Sequence, residues 1–351
     1  MYEPANLMEF SLPELREFAA NELELPAFRA NQVYQWVWQK GVTDVAAMTN
    51  LSKDLRRRLE LQAVIRPPAT AQIAESRDGT IKLLLELADG ERIETVLIPG
   101  KDYYTQCLST QVGCPMACRF CSTGTLGFTR NLSRGEVLGQ VLAGRSLLAE
   151  RSQLPLRNLV YMGMGEPLLN LDAVLASLAE LHRPEGLDFS RRRITVSTVG
   201  LPGGLEALAE TDAALPAISL HAPTQELREK IMPKAAKAMP LDELMAAADR
   251  FPLRDRERLT YEYLLLGGVN DSPKEARNLV RLLGQRKCKV NLIAYNATIG
   301  LPFEAPDPDR VLEFEDSLRR RGLSVTLRKS MGADIAAACG QLAAGGKANE
   351  G

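Results

Sequence analysis

Cys114-Pro115-Met116-Ala117-Cys118-Arg119-Phe120-Cys121 is the stretch from which the rest of this chain is best read. Its cysteines are separated by three and then two residues, a spacing that fits one tight loop with all the sulfurs facing a single point. Iron–sulfur cubes are held by cysteine thiolates, one to each iron. A compact triplet with no further cysteine just downstream leaves one iron of a cube free to bind and activate a ligand. Zinc is the competing reading, because closely spaced cysteines also serve that ion. Zinc usually takes two pairs of ligands, and the only histidines, His182 and His221, lie far from the loop in sequence. Cys107 would be available to close a four-cysteine zinc site. The spacing favours the cluster.

Outward from this loop the chain alternates. NLVYMGM, RRITVST, PAISLHA, RLTYEYLLL, CKVNLIAYN and LSVTLRK each read as a strand. Amphipathic stretches such as RGEVLGQVLAGRSLLAER and DPDRVLEFEDSLRRRG lie between them and read as helices. Strand–helix alternation implies a parallel sheet with right-handed crossovers. Counting a strand at the cysteine loop, about six units predict an α/β fold with an open, partial (β/α)6 barrel. Catalytic groups in such sheets sit at the carboxyl ends of the strands.

Upstream the period changes twice. Residues 70–99 hold three short strands separated by Asp78-Gly79 and Asp89-Gly90, which are hairpin signals. Residues 11–65 read as helices: LPELREFAANEL after Ser11, FRANQVYQWVWQKG ending at Gly41, and SKDLRRRLEL with Asn50 or Ser52 as cap. Pro67-Pro68 stops helical structure. The expected organisation is a helical domain over 1–66, a β-hairpin extension over 67–100, a catalytic core over 101–345 and a frayed tail over 346–351.

Composition bounds the partners. At 351 residues and 45% hydrophobic content the chain can bury a substantial core. A net charge of -1 carries no global nucleic-acid signature, so an RNA partner has to be argued locally. No apolar run approaches the ~20 residues that span a bilayer, and the start MYEPANLMEF lacks a secretory plan. Six cysteines, half of them in one loop, read as reduced thiols, so a cytoplasmic location is expected.

The triplet spacing resembles that of the radical S-adenosylmethionine (SAM) enzymes, whose free iron chelates the amino and carboxylate groups of SAM. Gly163-Met164-Gly165-Glu166-Pro167 follows the strand NLVYM. Its glycines would let a ligand approach the backbone, and Glu166 would accept hydrogen bonds from an ammonium group. An ordinary strand-to-helix turn with Glu166 near a helix start is the plainer reading of the same residues. Ser197, Ser219 with Leu220 and His221, and Asn296 fall at the ends of three further strands, where polar groups can converge on one ligand. Cys107 and Cys339 form a second unusual pair, 232 residues apart. Singly, each reads as a buried structural cysteine, and so does Cys288.

Over residues 8–345 the sequence resembles the RlmN family of radical SAM adenine-C2 RNA methyltransferases. The likeness is carried by FRANQVYQWVWQKGV, MTNLSKDLR, DGERIETVLIP, CLSTQVGCPMACRFCSTG, MGMGEPLLN, ITVSTVG, SLHAP, CKVNLIAYN and RKSMGADIAAACGQL. It implies that Cys114, Cys118 and Cys121 bind a [4Fe–4S] cluster. Gly165, Glu166, Ser197, Ser219, Leu220, His221 and Asn296 would contact SAM. Cys339 would carry the methyl group, Cys107 would resolve it through a disulfide, and Glu94 would accept a proton. The chain departs from the family at Met331, where a basic residue is common, and near Ala333, where a second acid is common.

The family scheme uses two SAM per turnover: one methylates Cys339, and reductive cleavage of the other starts radical addition of that methyl carbon to adenine. The implied partners are 23S rRNA in its peptidyl-transferase region, tRNA next to the anticodon, an electron donor such as flavodoxin, and a thiol reductant. A monomer with no membrane attachment is expected. Lys53 with Arg56–Arg58, Arg191–Arg193 and Arg319–Arg321 are candidate phosphate contacts, with solvated charged faces as the plainer reading. Adenine-C8 methylation on the same scaffold, a radical SAM enzyme acting on a protein or small molecule, and a non-catalytic RNA-binding metalloprotein are the rival readings. The pairing of Cys107 with Cys339 argues against the last two, which need neither.

Overall fold

The computed structural model describes residues 4–151, 153–298 and 300–343; the expected tail over 346–351 lies outside them. Ten strands form one sheet in strict chain order. They are β1 (Ala69–Glu75), β2 (Ile81–Glu86), β3 (Arg92–Pro99), β4 (Tyr104–Cys107), β5 (Leu156–Tyr161), β6 (Ile194–Thr198), β7 (Leu215–Ser219), β8 (Leu259–Leu265), β9 (Cys288–Ala294) and β10 (Val325–Arg328). From β4 to β10 every neighbouring pair is parallel. Six strand–helix units are closed by a seventh parallel strand, which is the expected partial (β/α)6 barrel. β1 and β10 do not pair with each other, so the barrel is open.

The three upstream strands form an antiparallel meander that joins the same sheet through β3 and β4. Gly79 and Gly90, with φ of 87° and 84°, make its two turns in the left-handed region that Asp-Gly pairs favour. β8 lies deep in the sheet, and all seven of its residues are buried, as both faces of a parallel sheet are covered.

The helical segment forms as its pattern predicts. Ser11 caps the helix Leu12–Leu23 in a reciprocal capping box with Glu14. Ser52, not Asn50, caps the helix Lys53–Gln62; the Asn50 carboxamide instead accepts from the Trp36 indole at 2.5 Å. This unit docks on the first barrel helix, Arg134–Glu150. There Glu9 accepts from the Ser133 hydroxyl at 2.6 Å, and a Cβ on Gly139 would come within 2.4 Å of Pro68. One apolar core, containing Leu15, Tyr34, Val37 and Trp38 as well as Val137 and Val141, runs through both. Among the described residues no helix is long and apolar enough to cross a membrane.

Candidate active site

A short strand, Gln111–Gly113, pairs with Phe128–Asn131 and holds the cysteine loop between them. Gly113 is required, since a Cβ there would lie 2.1 Å from the Gly127 carbonyl. Within the loop Ala117 adopts φ of 49°. That conformation costs a non-glycine residue on the order of 1 kcal/mol, and such strain concentrates at functional sites. The amide of Arg119 donates to Ile231 at 3.0 Å, fixing the loop against the helices after β7.

Cys114, Cys118 and Cys121 line one cavity at the carboxyl end of the parallel strands. Burial pushes the Cys114 thiol up to about 12. It also raises Cys118, which feels the charges of Cys121 and Cys114 as well. Among the described residues no trio of His, Cys, Asp or Glu is grouped tightly enough to chelate a single ion; the thiols border a larger space. Next to Cys118 lies a fully buried cation, Arg228, whose guanidinium donates to the carbonyls of Val199 at 2.6 Å and Met239 at 2.7 Å. Its Nε has no hydrogen-bond partner among the described residues, and it acts electrostatically on Cys118 and His221. Three cysteines beside a buried arginine that is in no ion pair among the described residues fit an anionic iron–sulfur cluster. Cys107 does not complete a zinc set: its charged neighbours are Cys339 and Arg328, not the triplet.

The strand ends supply the adjoining wall. Glu166 is buried; one carboxylate oxygen accepts from Thr198 at 2.5 Å and Leu168 at 3.1 Å, the other from the Val199 amide at 3.0 Å. It caps the turn Pro167–Asn170, as the plainer reading holds, and lines the cavity as well. The glycines before it line the cavity and are also packed closely by the protein itself. Cβ atoms on Gly163 and Gly165 would meet Ser109 Oγ at 2.6 Å and Gln111 Cβ at 2.7 Å, so neither position has room for a side chain. The hydroxyls of Ser197 and Ser219 lie 3.2 Å apart. His221 accepts from the Leu264 amide through Nδ1 at 3.1 Å, and burial, aided by Arg228, drives its pKa down to about 3.

The opposite wall is the segment that carries Cys339. Its residues hang from the meander: Gly332 donates to Asp78 at 2.8 Å, Asp334 accepts from Ser76 at 2.6 Å, and Lys82 donates to the Ala336 carbonyl at 3.1 Å. They also hang from the cysteine loop, where Ser122 donates to Gly340 at 2.7 Å and Thr123 to Leu342 at 2.7 Å. Cys339 is exposed as a residue but turns its thiol into the cavity, opposite the buried Cys107, and both are free thiols. Burial pushes the Cys107 thiol up to about 12; Cys339 adds to the rise and Arg328 opposes it.

Ten of the thirteen expected site residues line this cavity: Cys107, Cys114, Cys118, Cys121, Gly165, Glu166, Ser197, Ser219, His221 and Cys339. Leu220, Asn296 and Glu94 do not. Leu220 is fully buried behind the wall, and Asn296 donates to Ser330 at 3.0 Å. Glu94 pairs with Lys82 at 2.9 Å and takes the Ala343 amide at 2.8 Å. Among residues not expected, Glu262, Arg328 and Met162 face the same space. The basic clusters are partly neutralised: Arg191 is buried against Asp212 and Glu257, Arg319 pairs with Glu315, and Arg320 with Asp316. Arg192, Arg193 and Arg321 are exposed and in no ion pair among the described residues, as are Lys53 and Arg57.

Residues 5–65 match the family model described as the ribosomal RNA large subunit methyltransferase N-terminal domain, and residues 108–280 match the radical SAM superfamily. The chain is 58% identical to a dual-specificity RNA methyltransferase RlmN of Solidesulfovibrio magneticus, over 97% of this chain and 96% of that protein. It is 46% identical to the protein of the same name from Geobacter sulfurreducens, over 95% and 90%. A crystal structure of a radical SAM methyltransferase from Sphaerobacter thermophilus superposes with a TM-score of 0.92 at 42% identity, covering 97% of this chain and all of that one.

Proposed function

We propose, for a chain that belongs to the RlmN family of radical SAM RNA methyltransferases, that it methylates C2 of an adenosine in 23S rRNA and in tRNA. The supporting observation is that Cys107 and Cys339, from opposite ends of the catalytic core, share a cavity with the cysteine triplet. Cys114, Cys118 and Cys121 would hold the [4Fe–4S] cluster, which when bound supplies one-electron cleavage of SAM. Glu166, locked by Thr198, Leu168 and Val199, keeps one lone pair on Oε2 for the SAM ammonium, and the backbone of Gly165 and Leu220 with Ser197, Ser219, His221 and Asn296 completes the seat.

Cys339 takes a methyl group from SAM as the thiolate, the nucleophilic form of cysteine; burial raises its pKa, and the Arg328 guanidinium opposes that rise. Once that carbon is joined to adenine, Glu94 would accept the C2 proton, and the one unpaired electron left on the ring would be handed back to the cluster held by Cys114, Cys118 and Cys121. One Glu94 oxygen pairs with Lys82 and the other accepts from the Ala343 amide, which leaves a lone pair on each. Cys107 then attacks the Cys339 sulfur. The sulfur–carbon bond breaks, its electron pair leaves with the carbon, and a proton completes the new methyl group. The resulting disulfide needs an external thiol reductant, and the cluster an electron donor such as flavodoxin. The enzyme works as a cytoplasmic monomer, with Lys53 and Arg57 of the helical unit gripping RNA.

Nucleoside mass spectrometry of rRNA and tRNA from a strain lacking the protein tests this reading. Loss of 2-methyladenosine is expected. Loss of 8-methyladenosine alone would overturn it.

A further inference from the structure

Glu262 is an anomaly that the activity above does not use. It sits mid-strand in β8, its side chain is 3% exposed, and it faces the cavity. One carboxyl oxygen accepts from Asn291 Nδ2 at 2.9 Å; the other is buried with no hydrogen-bond partner. Its register neighbours are Ser219 on β7 and Asn291 on β9. Ser197, Ser219, Glu262 and Asn291 thus make a polar row across four strands. Beyond this row lie Arg328 and Cys339, close enough to exchange charge effects with the carboxyl. Burying an acid with an open oxygen costs free energy that a single bond to Asn291 does not return. Buried polar atoms left open in a cavity are the ones a ligand satisfies.

We propose that Glu262 is an adenosine-binding residue, its open oxygen accepting a hydrogen bond from a ribose hydroxyl or a 6-amino group. The inference rests on the proposed function, which brings two adenosines to this cavity, that of SAM and that of the RNA. Asn291 braces the carboxyl through one oxygen and leaves the other free to accept. Ser219 beside it lies in the SAM seat, and Cys339 beyond it is where the RNA base arrives, so the carboxyl stands between the two.

The test uses cluster-loaded enzyme kept anaerobic, with Glu262→Gln and Glu262→Leu beside the wild type. Equilibrium binding of labelled SAM and the KM for a tRNA anticodon stem-loop are the readouts. Loss of a hydrogen bond to a charged acceptor predicts a weakening of roughly tenfold or more. A tenfold loss of SAM affinity assigns Glu262 to the SAM adenosine. Unchanged SAM binding with a tenfold higher KM for the stem-loop assigns it to the RNA adenosine. Variants that match the wild type in both overturn the proposal, whatever their turnover. Glu262→Gln preserves shape and keeps the test open should Glu262→Leu fail to fold. A wild type that binds neither ligand would count against the proposed function instead, so the two failures are distinguishable.

Discussion

His221 shows how burial fixes a protonation state. Enclosed beside Phe120, with ring centroids 5.1 Å apart, and accepting a backbone hydrogen through Nδ1, it is neutral at physiological pH. Its folded pKa of about 3 lies below the ordinary 6.5, so the unfolded chain binds the proton more readily. Its contribution is full above pH 6.5 and is lost as pH falls toward 3, at up to about 1.4 kcal/mol per pH unit. Chemical denaturation between pH 7 and 4 should show this slope, and His221→Gln should flatten it; an unchanged slope would contradict the assignment. At this scale the sequence is legible where chemistry is local. The cysteine spacing announces itself within eight residues, whereas Arg228, Arg328 and Glu262 meet the site only through the fold. Glu262 did leave a trace: it is the lone charge in LTYEYLL, a stretch otherwise apolar enough for a strand buried on both faces.

The C-terminal segment and the meander show elements acquiring a second task. Asp78 and Asp89 both read as hairpin residues, but Asp78 also receives the amide of Gly332. Burial alone would raise its pKa, yet hydrogen bonds from Gly332 and Thr80 hold it at about 2. The anchor is therefore complete above pH 4 and fails only as pH falls toward 2. Asp334, tied to Ser76 and Arg77, is the matching anchor on the segment itself. Asp78→Asn with Asp334→Ala should raise hydrogen exchange over residues 332–343 about tenfold, on the ordinary worth of such hydrogen bonds. RNA methylation should fall with it, because Cys339 loses its aim. Unaltered exchange would show that the segment is held by packing alone. No local pattern in the sequence could reveal this clamp, since its partners lie more than 250 residues apart.

Across the whole molecule, period-2 and helical patterns located every strand of the parallel sheet and the helices between them. Even the short edge strand Val325–Arg328 falls inside LSVTLRK, whose alternation marked it. The meander's union with the barrel was invisible, as pairing between β3 and β4 depends on edges and not on composition. What the assembled fold contributes is convergence: a thiol from β4 and a thiol from the C-terminal segment face one cavity. The central claim is that these two thiols act in sequence on one substrate. Disulfide formation demands α-carbons within about 7 Å, a condition that Cys107 alone is proposed to meet for Cys339. Cys107→Ala should therefore stall after carbon addition, with RNA joined covalently to Cys339. The variant purified from growing cells should run on a denaturing gel as RNase-sensitive material of raised mass. Clean, RNA-free protein that turns over normally would contradict the account.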